Sequence, residues 1–248
     1  MRISLLFLFL LSMLPSQAGT PELLQTAQEA YAKGEYAQAL AVYDSLDQQA
    51  TSASLLFNIG NCHMKLRDLP KAILYYERAI RLQPGADDIQ SNLDFARSKV
   101  VDRVNELPAL TLGSVWDRMR GGKDVDQWAR RSLWAMLITA ILAALAVAIS
   151  RSAIRRVLVP VAAVTFLITV VSTFLAGYRV SEVNDRSQAV IMSPKVDVRG
   201  EPRDGATTVF VLHEGTKVSV LSEQNGWHEI KLSSGSVGWA APGSLEII

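Results

Sequence analysis

The chain has 248 residues, with 25 Lys and Arg against 24 Asp and Glu for a net charge of +1, and one cysteine. So small a net charge, with the basic residues gathered beside two apolar stretches and the remaining regions mildly acidic, excludes a nucleic-acid-binding polycation. One cysteine excludes an intrachain disulfide framework, so each folded region is held by packing alone.

Arg2 precedes the apolar run Ile3 to Leu11, and Pro15, Ser16 and Ala18 then supply a helix breaker and small residues suited to processing. The pattern predicts a secretory signal over residues 1–18. An uncleaved signal anchor is the alternative, and both send the following region to the exported side. No cysteine lies near the site, which excludes a lipoprotein.

Residues 19–102 read as an all-α solenoid. From Ala53 to Pro84, Leu56, Ile59, Gly60, Ala72, Tyr76 and Ala79 recur at the spacing of two antiparallel helices. Gly60 and Ala72 are small where backbones must approach, Arg67 and Asp68 make the turn, and Pro84 ends the second helix. This segment resembles the tetratricopeptide repeat, with His63 standing where that family usually has tyrosine. A looser copy from Thr20 to about Ala50 uses Leu23, Ala27, Gly34, Tyr36, Ala39 and Tyr43. A fifth helix, Asp87 to Val101, is expected to cap the final apolar face. Cys62 falls among Ile59 and Leu66 and reads as a small buried apolar residue.

Such repeats present the first helix of each pair along a concave groove, which here would include Asn58, Asn61 and Lys65. Asparagines there can donate to and accept from a peptide backbone; simple solvation is the other reading. Leu24 and Asp88 stand where chaperone-binding relatives carry a basic clamp, so that clamp is not expected.

Residues 103–131 form a linker broken by Pro108, Gly113, Gly121 and Gly122, in which Trp116 and Trp128 among basic residues suit the headgroup level of a membrane or a solvated connector. Two apolar stretches follow, Leu133 to Ile149 and Val157 to Tyr178, neither charged. They predict membrane helices over 132–150 and 157–178, joined by a cytoplasmic loop at 151–156. Counting basic residues alone permits the reverse orientation. The signal segment decides for two exported soluble ends. Ala140, Ala144 and Ala148 make a small-residue face that could pack on the second span or on another protein.

After a linker at 179–187, residues 188–248 change to short Val- and Ile-rich runs separated by turn residues. Strands are expected near Ala189–Met192, Val196–Arg199, Thr208–Leu212, Lys217–Leu221, Trp227–Leu232 and Ser236–Ala240. The landmarks Val198-Arg199 with Pro202, Gly215, Gly226-Trp227, Gly238-Trp239 and Leu245-Glu246 resemble the bacterial SH3 family, an all-β SH3-like barrel. Alternation puts Trp227 opposite Ile230 and Leu232. Its indole is then either an exposed ligand platform or tucked under a neighbouring loop.

His63, His213 and His228 are scattered, and neither a nucleophile elbow, nor metal-ligand spacing, nor a phosphate-binding glycine loop occurs. No catalytic residue, metal or cofactor is expected. The full order of elements resembles the BatE-type proteins of aerotolerance operons. That resemblance implies an inner-membrane scaffold working with other Bat proteins. The competing expectation is an adaptor whose barrel binds peptidoglycan while the repeats recruit a cell-wall enzyme.

Overall fold

A computed structural model of the chain describes residues 20–102 and 126–248. The expected signal, Trp116 and most of the first linker lie outside the described residues. The described chain is a helical solenoid, a two-helix hairpin and a seven-stranded antiparallel sheet.

The solenoid comprises α1 (Thr20–Ala32), α2 (Tyr36–Asp47), α3 (Ala53–Lys65), α4 (Leu69–Leu82) and α5 (Asp87–Arg97). Ser52 starts α3 by accepting a hydrogen bond from the Leu55 amide at 3.2 Å, and Asp68 starts α4 by accepting from the Lys71 amide at 3.3 Å. The turns between paired helices need a left-handed residue. Gly34 (φ +85°) supplies it in the first pair and Arg67 (φ +64°) in the second. Gly60 is required by packing: a Cβ there would lie 2.7 Å from the Tyr76 ring. Ala27, Ala39, Tyr43, Ile59 and Cys62 form one core cluster. Burial pushes the Cys62 thiol up to about 11, so the free cysteine is an unreactive packing residue.

Helices α6 (Gln127–Ala148) and α7 (Ser152–Val183) pack as a hairpin, and both are long and apolar enough to cross a membrane by length and composition. Their facing sides carry Ser132, Ala135, Thr139 and Ala146 against Ala162, Thr165, Thr169 and Ser172, with the Thr139 and Thr169 hydroxyls 3.5 Å apart. Two expectations are corrected. Of the two uses expected for Ala140, Ala144 and Ala148, packing on the second span does not occur; they are exposed on the outside of the hairpin, the side on which another protein would meet them. The connecting loop shrinks to residues 149–151, and α7 runs through Arg155 and Arg156 and on through Arg179 to Val183. Both extensions lack a helix breaker, and arginine is a good helix former.

The sheet holds β1 (Gln188–Ile191), β2 (Lys195–Arg199), β3 (Thr208–His213), β4 (Lys217–Gln224), β5 (Trp227–Lys231), β6 (Val237–Ala240) and β7 (Leu245–Ile247). Its order is β3-β2-β6-β5-β4-β1-β7, an SH3-like arrangement curved by register shifts in β2 and β4. Asn225 (φ +51°) and Gly226 (φ +79°) make the tight β4–β5 hairpin. Ala189, Ile191, Val198, Leu212, Val218 and Ile230 fill the interior. Strand β7 exceeds the sequence expectation; at three residues it is too short to show alternation.

Candidate functional site

Three surfaces bear on function: the first-helix side of the solenoid, the outer face of the barrel, and the seam where the two meet.

On α3, Asn58 is half-buried and makes no hydrogen bond among the described residues, while Lys65 is exposed on the last turn. Asn61 differs. Its side-chain oxygen accepts from the Tyr76 hydroxyl at 2.8 Å and from the Asn92 amide at 2.9 Å, tying α3 to α4 and α5. Both lone pairs of that oxygen are occupied, which leaves only its amide group to meet a ligand. Sequence spacing put all three residues on one helix side; it could not separate the free asparagine from the one engaged inside the fold.

On the barrel, the tucked indole is the one of the two Trp227 readings that the fold adopts: the residue is 7% exposed, and it is not an open ligand platform. Alternation does put it opposite the buried Ile230, on the outer face. There the Arg199 guanidinium lies over the ring at 5.5 Å, and Arg199 is itself held by donating to the Arg203 carbonyl at 3.2 Å and by Asp204 at 3.9 Å. The 200–207 loop thus covers the tryptophan through Arg199. Trp239 pairs with Arg199 and Glu229 in the neighbouring strands and is half-buried, so it is the more accessible indole of that face. Gly238 beside it must be glycine, because a Cβ would lie 2.7 Å from Val198 Cγ1 and 3.0 Å from the Arg199 carbonyl.

The third surface was invisible in the sequence. Val190 and Ile248 of the barrel are buried in one cluster with Ala72, Ile73, Leu74, Tyr76 and Leu93 of the solenoid, with Met192 and Val100 packed around them. Gly215 (φ +83°) lets the β3–β4 turn sit against Ile73 and Val100. Polar groups frame this apolar seam. Glu77 on α4 is 4% exposed and pairs with Arg97 of α5 and, at 2.9 Å, with Lys217 of β4. Burial pushes its carboxyl up, yet the two cations outweigh burial and hold it below the usual range.

Asp102, just past α5, accepts from the His213 amide at 2.6 Å, from the Thr216 hydroxyl at 2.8 Å, and pairs with His213 Nδ1 at 2.8 Å. Despite partial burial, these bonds keep the Asp102 carboxyl below the ordinary range. Arg78 donates to the Ile247 carbonyl at 2.6 Å and pairs with Glu246 at 2.9 Å. Arg81 donates to the carbonyls of Asp185 at 2.6 Å and Ile248 at 2.7 Å. Its own carbonyl, at the end of α4, accepts from Arg179 of α7, which is 1% exposed. A guanidinium at a helix C-terminus meets both an unsatisfied carbonyl and the negative end of the helix dipole. Solenoid, barrel and the end of α7 are therefore joined at one place.

The tetratricopeptide repeat family matches residues 53–85, which are α3, α4 and the turn that follows. The bacterial SH3 domain family matches residues 194–246, from the start of β2 into β7. The chain therefore carries a tetratricopeptide repeat and a bacterial SH3 domain, two module classes that serve interaction and are typically non-catalytic. No curated protein matches the chain.

Proposed function

We propose that the chain is a membrane-anchored, non-enzymatic scaffold that offers the α3 side of its solenoid to an envelope protein. The observation that carries this reading is the docking of the barrel on α4, the second helix of the repeat, which leaves Asn58 and Lys65 of the first helix available. Two domains that dock on each other share one side of any membrane that α6 and α7 cross. With a signal at residues 1–18, that side is the exported one and residues 149–151 turn in the cytoplasm. The order of modules supports a partner among the proteins that work with BatE-type chains. Two modest sites on one anchor gain from effective concentration, so neither needs high affinity alone.

The test is affinity capture of envelope proteins with the full chain in detergent. Asn58→Ala is expected to weaken retention of the captured protein roughly 2–10-fold, the worth of one hydrogen bond, with stability unchanged. Asn61→Ala is expected to destabilise the fold by about 1–3 kcal/mol, because Tyr76 and Asn92 lose their shared acceptor. Failure to capture any envelope protein, or an Asn58 variant that captures as well as the parent, would sink the groove reading.

A second reading rests on the partly accessible Trp239 beside Arg199 and Glu229, an apolar plate with charges of both signs. It makes the barrel a peptidoglycan reader and the solenoid a recruiter of a wall enzyme. Co-sedimentation of the solubilised chain with purified wall, lost on Trp239→Ala, is the expected result; a chain that stays in the supernatant rules the wall out.

A further inference from the structure

The seam between α6 and α7 is closed by small and hydroxylated side chains over most of its length, but it opens beside the first turns of α6. A cleft of about 400 Å³ lies there, its walls formed by Trp128, Trp134, Ile138 and Ile168, with Ser172 also lining it and Arg131 as its one charged residue. Among the described residues, no acidic one lines it. The Arg131 guanidinium lies over the Trp128 ring at 4.8 Å and is exposed.

We propose that this cleft binds one anionic phospholipid, its acyl chain along Ile138 and Ile168 and its phosphate at Arg131. The inference rests on the reading that α6 and α7 cross a membrane. An apolar cleft at that depth offers water too few polar partners to hold it, so hydrocarbon fills it. Trp128 and Trp134 flank Leu133, where the apolar run begins, which is the level at which indoles meet headgroups. A guanidinium there, braced on an indole in a cleft whose described lining holds no carboxylate, has the planar donor set that suits a phosphate. The arginines at the other end of the hairpin, Arg155 and Arg156, sit beside a more open recess of about 560 Å³ with Ser152, Val159 and Pro160 and provide an internal control for general attraction to anionic lipid.

The full chain is reconstituted in bilayers of zwitterionic phospholipid containing a small fraction of brominated lipid, either anionic or zwitterionic, and tryptophan quenching is measured. Trp116 is replaced by Phe in every sample, and Trp227 and Trp239 belong to the soluble barrel and stay outside the reach of acyl-chain bromine, so Trp128 and Trp134 report. The brominated anionic lipid is expected to reach half-maximal quenching at about fivefold lower mole fraction than the zwitterionic one. Arg131→Gln, and Ala135→Phe, which enlarges a side chain that lines the cleft while keeping the charge, are each expected to abolish that preference; Arg156→Gln is expected to retain it. Equal quenching by both lipids, or a preference that survives Ala135→Phe, would overturn the cleft while leaving the membrane hairpin intact. No quenching by either lipid would overturn the hairpin reading and the cleft with it.

Discussion

Replacing Glu77 by alanine is expected to destabilise the joined solenoid and barrel by about 3–5 kcal/mol, because it leaves Lys217 and Arg97 facing each other without their shared carboxylate. The effect exceeds that of a surface ion pair, about 0–1 kcal/mol, since Glu77 is almost fully removed from water. Thermal unfolding of the full chain in detergent measures it. Loss of the seam is expected to split one transition into two, with the barrel melting separately from the repeats. A variant that unfolds in a single step at the parent temperature would show that the seam contributes little.

The same carboxylates set a pH dependence whose sign follows from their direction. Glu77 and Asp102 are both held below the ordinary carboxylate range in the folded chain. A group depressed in the folded state contributes stability that is complete above its unfolded value, about 4, and is lost as pH falls through the folded value. The docked arrangement is therefore expected to hold unchanged from neutral pH to about pH 5 and to loosen only below about pH 4. The groups facing Glu77 are Arg97 and Lys217, and those facing Asp102 are His213 and Thr216.

Gly215→Val is expected to have the next largest effect. Its left-handed backbone costs an L residue about 1–2 kcal/mol. A Cβ at this position also lies 3.0 Å from Ile73 Cδ1 and 3.0 Å from Val100 Cγ2, so overpacking the seam adds about 1–3 kcal/mol. Gly235→Val separates the two contributions, because Gly235 has φ +94° but open space where a Cβ would stand. Comparable losses at both positions would mean that only backbone strain acts and that the turn is not pressed on the solenoid.

Local patterns made most of the secondary structure legible. Small residues at Gly60 and Ala72 and the turns at Gly34, Arg67-Asp68 and Asn225-Gly226 each act over a few neighbours, so a linear reading captures them. Trp227 shows where that reading stops. Its side of the strand follows from alternation, whereas its cover comes from Arg199, two strands away at the end of β2 and braced by the loop that follows. Asn61 is similar: one helix position was readable, and the two donors that occupy its oxygen come from other helices.

By itself the sequence determined the order of modules, an all-α repeat, two apolar helices and an all-β barrel, because hydrophobic period and turn chemistry are properties of short segments. Tertiary structure alone decided that repeat and barrel are one joined body fastened to the end of α7. Glu77, Arg78 and Arg81 look like an ordinary charged helix face in the chain, since a charge reads the same whether it faces water or a partner. Lys217 lies 140 positions from Glu77, and only folding brings such distant groups into a shared, water-poor seam where their pairing acquires strength.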